Sequence, residues 1–427
     1  MTVRNNIRIA ALKSTWIWVT CIVLTLFSCV QDSTNTSAEN GVTLYPAIAN
    51  RVETAIVTRT RLDVGNTTDK YDDALISDGT VLRAYAVENT GASQHNYGGS
   101  FRYSNHSWRS SVTVESGHGY SIYAFTPITM PGATNQEFNF GVTKNSNNED
   151  VFNLNSTALS FTGIDILTTT DPMVSVAVAG RQALLNSNGQ ELDNQGHVIE
   201  DENIEIPEIN KGSFNIGTVT TDVGNNEVEN HTYHKIWMAM DHLYAKATIS
   251  FCIDQTYHQI RDIRLKQAWI SVSNGSLSGN HVYSFTNGLT LDPNAAFSSK
   301  DLTIDLMTGP TAKENRDHEK DYATLTEEYK EYSWFCFLPI SYVPELTYPM
   351  VTLHVTYDVY DRDGNEVRLN QPAQNTFPLN EFIRDDLARI VPKPADHFKI
   401  KVKIKPSYLY QLIDDDAEIK LDIIRTD

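Results

Sequence analysis

The chain has 427 residues, with 34 Lys and Arg against 53 Asp and Glu, a hydrophobic fraction of 41% and only 4 Cys. A net charge of −19 opposes partners rich in phosphate, so nucleic acid is not expected among them. With 20% charged and 10% aromatic residues the composition is that of an ordered globular protein, long enough to bury a core without disulfide staples.

Residues 1–28 hold Arg4, Arg8 and Lys13, no acid, and a 14-residue apolar stretch over 14–27. This is the layout of a bacterial export signal, and its apolar core falls short of the roughly 20 residues that a membrane-spanning helix needs. The signal ends in Leu26-Phe27-Ser28-Cys29, which resembles a lipobox. Removal of residues 1–28 and lipidation of Cys29 are therefore expected, with the membrane reached through the lipid at the outer membrane or cell surface. Residues 29–45 are rich in Ser, Thr, Asn and Gly, have no apolar period, and read as a flexible linker.

Strand patterns dominate the rest of the chain. Half-buried strands are expected over 80–88, 120–126 and 173–179, separated by clusters of Asn, Asp, Gly and Ser. The acidic, Asn-rich stretch 183–230 reads as a long, mainly solvated insertion. Alternation then returns at 246–254, where Ala247, Ile249, Phe251 and Ile253 share one face, and continues at 263–272, 302–307, 333–339 and 351–360. The clearest case is 397–405, in which Phe398, Ile400, Val402 and Ile404 alternate with Lys399, Lys401, Lys403 and Lys405. Two amphipathic helices are expected, over 319–332 and 379–390, the second because Phe382, Ile383, Leu387 and Ile390 recur at helical spacing. Many strands without a regular βαβ alternation point to an all-β protein of two tandem antiparallel sandwiches, over 46–255 and 256–427.

Leu82-Arg83-Ala84-Tyr85-Ala86-Val87, Tyr123-Ala124-Phe125 and Asp165-Ile166-Leu167 occur in that order in the first half. In the second half come Asp241-His242-Leu243-Tyr244-Ala245-Lys246-Ala247, Ile263-Arg264-Leu265, Phe337-Leu338-Pro339 and Tyr357-Asp358-Val359-Tyr360-Asp361 with Gly364. Behind a lipobox, this succession resembles the fimbrillin family, the type V pilus subunits of Bacteroidales. Where that family often carries a Trp-x-x-Gly turn before its last long strand, this chain has Val391-Pro392-Lys393-Pro394-Ala395-Asp396-His397.

The resemblance implies two transthyretin-like sandwiches and a subunit or tip adhesin of a fimbrium, without enzymatic activity or cofactor. It further implies a lipoprotein precursor that assembles with other fimbrial subunits by strand exchange, after an Arg-specific protease removes its first strand, and that meets a host or microbial surface ligand. The matching cleavage region, 51–62, offers Arg51, Arg59 and Arg61. They are either cut or sit on the wet face of a first strand that is kept. At the other end Ala417, Ile419, Leu421 and Ile423 alternate with Glu418, Lys420 and Asp422, a candidate donor strand that either completes its own sandwich or reaches a neighbour.

His231 and His234 stand three apart and read as a loop pair, with no third metal ligand close in sequence. Asp358, Asp361 and Asp363 before Gly364 resemble a loose calcium loop, but Asp363-Gly364 between apolar strands reads more simply as a hairpin turn, and no metal site is expected. Cys252 and Cys336 either bridge or remain two buried thiols. Nucleophile-elbow, zinc-protease, phosphate-loop and dinucleotide-binding patterns are absent, which leaves catalysis without a motif. The second function class is a lipid-anchored glycan-binding protein of the cell surface, with Tyr97 and Trp108 as exposed aromatic candidates.

Overall fold

The computed structural model describes residues 41–48, 79–89, 95–104, 107–186, 190–200, 203–210, 212–220, 231–313, 321–339, 347–383, 389–406 and 419–426. Its first strands are β1 (Gly41–Ile48), β2 (Val81–Glu88), β3 (Asn96–Ser104), β4 (Ser107–Ser110), β5 (Thr113–Glu115), β6 (His118–Thr126), β7 (Thr134–Asn139), β8 (Val142–Lys144), β9 (Asp150–Phe152) and β10 (Ala158–Asp165). They continue with β11 (Leu167–Thr168), β12 (Met173–Leu185), β13 (Asn215–Val219), β14 (His231–His242), β15 (Ala245–Ile253), β16 (Arg261–Val272), β17 (Ser276–Ser284), β18 (Gly288–Thr290) and β19 (Phe297–Ser298). The last are β20 (Leu302–Asp305), β21 (Ala323–Thr324), β22 (Lys330–Phe337), β23 (Met350–Asp361), β24 (Glu366–Pro378), β25 (Phe382–Ile383), β26 (Arg389–Ile390), β27 (His397–Pro406) and β28 (Ile419–Thr426). Between β15 and β16 lies one turn of helix, α1 (Gln255–His258), capped by the Asp254 carboxylate, which accepts from the Tyr257 N–H.

The protein is all-β, as its alternation demands. A nine-stranded sheet runs β4-β3-β2-β6-β12-β14-β1-β5, with β13 added to β6. A five-stranded sheet, β18-β17-β10-β7 with β19 on β17, shares an aromatic core with it: Tyr85 of β2 stacks on Phe138 of β7 at 4.3 Å, and Tyr123 of β6 meets Phe285 edge-on at 4.9 Å. Two further five-stranded sheets run β11-β22-β15-β27-β28 and β20-β16-β23-β24, the latter with β21 on β16. Among the described residues pairing is antiparallel except where β1 meets β14 and β15 meets β27. Residues on the two sides of position 255 share sheets, because β10 pairs with β17 and β11 with β22.

Alternation does the sorting. In β16 Ile263, Leu265, Ala268, Ile270 and Val272 are buried, and in β27 Phe398, Ile400, Val402 and Ile404 are buried between half-exposed lysines. At about 1.5–3 kcal/mol per large apolar side chain, such rows are what hold sheet against sheet.

Neither expected helix is found among the described residues. In the first range Ala323 and Thr324 form β21 and residues 330–332 begin β22, with Tyr332 buried. In the second range β25 and β26 pair antiparallel, Phe382 opposite Ile390 and Ile383 opposite Arg389, while Leu387 lies outside the described residues. Residues 41–45, expected at the end of the linker, belong to β1, which buries Val42 and Leu44 on one face.

Candidate functional site

The feature that bears most directly on the expected assembly is β1. It lies inside a sheet, between two strands distant in sequence. On one side it runs parallel to β14, with Leu44 opposite His234 and Ile48 opposite Met238; on the other it runs antiparallel to β5, with Gly41 opposite Glu115 and Thr43 opposite Thr113. Leu44 is fully buried, and its N–H donates to the Val112 carbonyl at 3.0 Å. Taking β1 away would leave ladder groups on β14 and β5 unpaired and open a slot in the core where Val42 and Leu44 sit.

The β14 side of this slot is covered on both faces. Ile236, Met238 and Met240 point into the main core, whereas Trp237 and Ala239 join Ala177, Ala179 and Ile209 in a second apolar cluster on the opposite face. Ile209 belongs to the acidic stretch expected to be solvated, so part of that stretch covers the sheet. The Arg181 guanidinium and the Lys235 ammonium both lie over the Trp237 ring, at 4.9 and 5.2 Å from its centroid. Glu191, 5% exposed, accepts from both cations, from Lys235 at 3.2 Å, which offsets the cost of burying charge there. On the other face of β14 His234 is buried, with Nε2 3.3 Å from the Ile216 carbonyl oxygen, and burial pulls its ring pKa down.

The structure separates the other sequence candidates. Cys29, Arg51, Arg59, Arg61 and Ala417 lie outside the described residues; β1 ends at Ile48, just upstream of Arg51. Ile419, Leu421 and Ile423 fall in β28, opposite Pro406, Ile404 and Val402 of β27, so that strand is paired within its own chain. His231 and His234 are not a loop pair, because both lie in β14, where a three-residue step does not return to the same face. Among the described residues no group of three His, Cys, Asp or Glu is placed to hold a metal.

Asp363-Gly364 is a hairpin turn. It joins β23 to β24 with Gly364 at φ +83°, while the Asp361 carboxylate accepts from the N–H groups of Asp363 and Asn365 and from the Asn365 amide. These hydrogen bonds, the Asn365 side chain foremost, hold the Asp361 carboxyl below the usual carboxylate range. Cys252 and Cys336 are free thiols on adjacent strands, buried, and burial pushes both pKa values up. Tyr97 and Trp108 are not exposed loop aromatics: Tyr97 is 5% exposed and meets Tyr120 edge-on at 5.9 Å, and Trp108 packs on Tyr103 at 5.2 Å. What sequence reasoning missed is β1 itself; the alternation of Val42 and Leu44 was its signal, hidden by polar neighbours.

No family model matches the sequence, and neither does any curated protein. Among solved structures the chain is similar to a fimbrial protein from Bacteroides vulgatus, at 11% identity and a TM-score of 0.36, over 90% of this chain and 99% of that one. It is also similar to the fimbrial anchor protein Mfa2 from Porphyromonas gingivalis, at 13% identity and a TM-score of 0.23, over 90% of this chain and 96% of that one.

Proposed function

We propose that the chain is a fimbrial subunit or tip adhesin, exported as a lipoprotein through Cys29 and assembled by strand exchange after cleavage at Arg51, Arg59 or Arg61. The observation that carries this reading is the seat of β1, a strand paired on both sides and lodged in the core, followed at once by the arginine-bearing segment. A cut there leaves β1 held only by hydrogen bonds and by side chains such as Val42 and Leu44. Its departure leaves a groove lined by ladder groups and by an apolar face, and these two features are what an added strand recognises. A strand from a neighbouring subunit supplies both, and the tail bearing Ala417, Ile419, Leu421 and Ile423 is the candidate donor once it leaves its pairing with β27.

Limited digestion with an Arg-specific protease tests the reading, with mass spectrometry to place the cut and size-exclusion chromatography to follow assembly. Cleavage after one of the three arginines followed by oligomers is expected, as is loss of both in the triple variant Arg51→Ala, Arg59→Ala, Arg61→Ala. A cut chain that stays monomeric would contradict it.

A further inference from the structure

The outer face of the sheet β20-β16-β23-β24 carries a polar cavity of about 440 Å³, within the roughly 300–1,000 Å³ usual for small-ligand sites. Its lining is polar apart from Met307: Lys266, Gln267, Asp321, Thr356, Asn370 and the pair Asp305 and Thr308. Two register irregularities make it. One falls in β16 between Leu265 and Gln267, beside Lys266; the other falls opposite Tyr357 and Val359, where β24 holds an extra residue and Asn370 adopts φ +52°. Bulges re-aim side chains, and left-handed backbone at Asn costs energy that the surrounding structure must hold in place.

The bulged residues are tied down. The Asn370 N–H donates to Asp358 Oδ1 at 2.6 Å, and Lys266 Nζ donates to Asn370 Oδ1 at 2.9 Å and lies 3.6 Å from Asp358 Oδ2. Asp305 is fixed as well, accepting from the N–H groups of Met307 and Thr308 and from the Thr308 hydroxyl. By contrast, the side chains of Gln267, Thr356 and Asp321 have no hydrogen bond or ion pair among the described residues. An amide, a hydroxyl and a carboxylate are thus offered to the cavity beside an oriented frame.

The lining selects the ligand class. Asp305 and Asp321 repel an anion, and the single cation, Lys266, is already engaged. A metal lacks its ligand set, because no group of three His, Cys, Asp or Glu among the described residues is placed for one. An apolar ligand would meet little beyond Met307. Alternating donors and acceptors suit a neutral molecule with several hydroxyls, each able to donate and to accept. Trp269 borders the same face: it lies opposite Asp305 on β20 and stacks on His354 at 4.8 Å, whose Nε2 is 2.8 Å from the Ser271 hydroxyl. A half-exposed indole on the face that carries the cavity gives the apolar face of a sugar ring somewhere to pack.

We propose that this cavity binds a neutral sugar unit of a surface glycan. The proposal is independent of strand exchange and stands or falls without polymer formation. Saturation-transfer NMR on the full chain with methyl mannoside, methyl galactoside and N-acetylglucosamine tests it, with tryptophan fluorescence as a second readout. At least one probe is expected to bind saturably at millimolar concentration. Gln267→Ala and Asp321→Ala, both exposed and therefore expected to fold with unchanged unfolding midpoints, should each weaken binding by about tenfold. Val198→Ser, at an exposed position between β12 and β13, should leave it unchanged. Binding by none of the three sugars, or binding that both substitutions leave intact, would overturn the proposal.

Discussion

Replacing Leu44 by Ala measures how firmly β1 is seated. The side chain is fully buried among core residues, so truncation removes its burial and leaves a cavity, at a cost of about 2–5 kcal/mol. In the uncut chain this appears as a loss of global stability in urea. In the chain cut after Arg51, Arg59 or Arg61 the same energy bears on β1 alone, because nothing covalent retains it. A cost of about 3 kcal/mol then weakens retention of the N-terminal fragment by about 100-fold. Gel filtration of the cut protein at increasing dilution, followed by mass spectrometry of the retained fragment, reads that ratio. Thr43→Ser, at a half-exposed position of the same strand, serves as the control. If Leu44→Ala changed neither urea stability nor fragment retention, β1 would not be the strand that closes this sheet.

Asp165 joins distant segments: its carboxylate accepts from Lys300 Nζ at 2.8 and 2.9 Å and from the Ser276 hydroxyl. Asp165→Ala should cost about 2 kcal/mol in urea unfolding, toward the lower end for charge-assisted bonds because 51% of the Lys300 side chain is exposed; no measurable change would refute that assignment. Buried His234 and His281 have ring pKa values lowered by desolvation, so the unfolded chain takes up protons that the fold resists. Their contribution is complete above the unfolded value of about 6.5 and is lost as pH falls below it, so the melting temperature should drop between about pH 6.5 and 5. His281→Phe should flatten that slope, and an unaltered slope would exclude His281 as one of its sources. Cys252 and Cys336 should stay unreactive to a thiol reagent in the native protein and both react in urea; rapid native labelling would contradict their burial.

Much of the sheet structure was legible because its strands are half-buried and alternate. The 351–360 pattern became β23 and the lysine-striped 397–405 pattern became β27, each within a residue at either end. Helical spacing misled at 379–390 because a short hairpin also brings Phe382 and Ile390 together, and one-dimensional periodicity cannot tell the two apart. The parallel insertion of β1 beside β14 was illegible for a different reason. It depends on partners nearly two hundred residues away, and nothing local in 41–48 specifies them. The same holds for Glu191, whose two cations come from β12 and β14, and for the cavity beside Lys266 and Asn370, where two separate strands bulge at adjoining positions.

Assembly by strand exchange requires that β1 leave its seat and be replaced. Native mass spectrometry of the Arg-digested chain tests this directly, because it weighs each assembly and reports what every subunit has lost. Exchange predicts oligomers in which each added subunit lacks the mass of the N-terminal fragment containing 41–48. Oligomers that keep that fragment in every subunit, or a cut monomer that never associates, would contradict it.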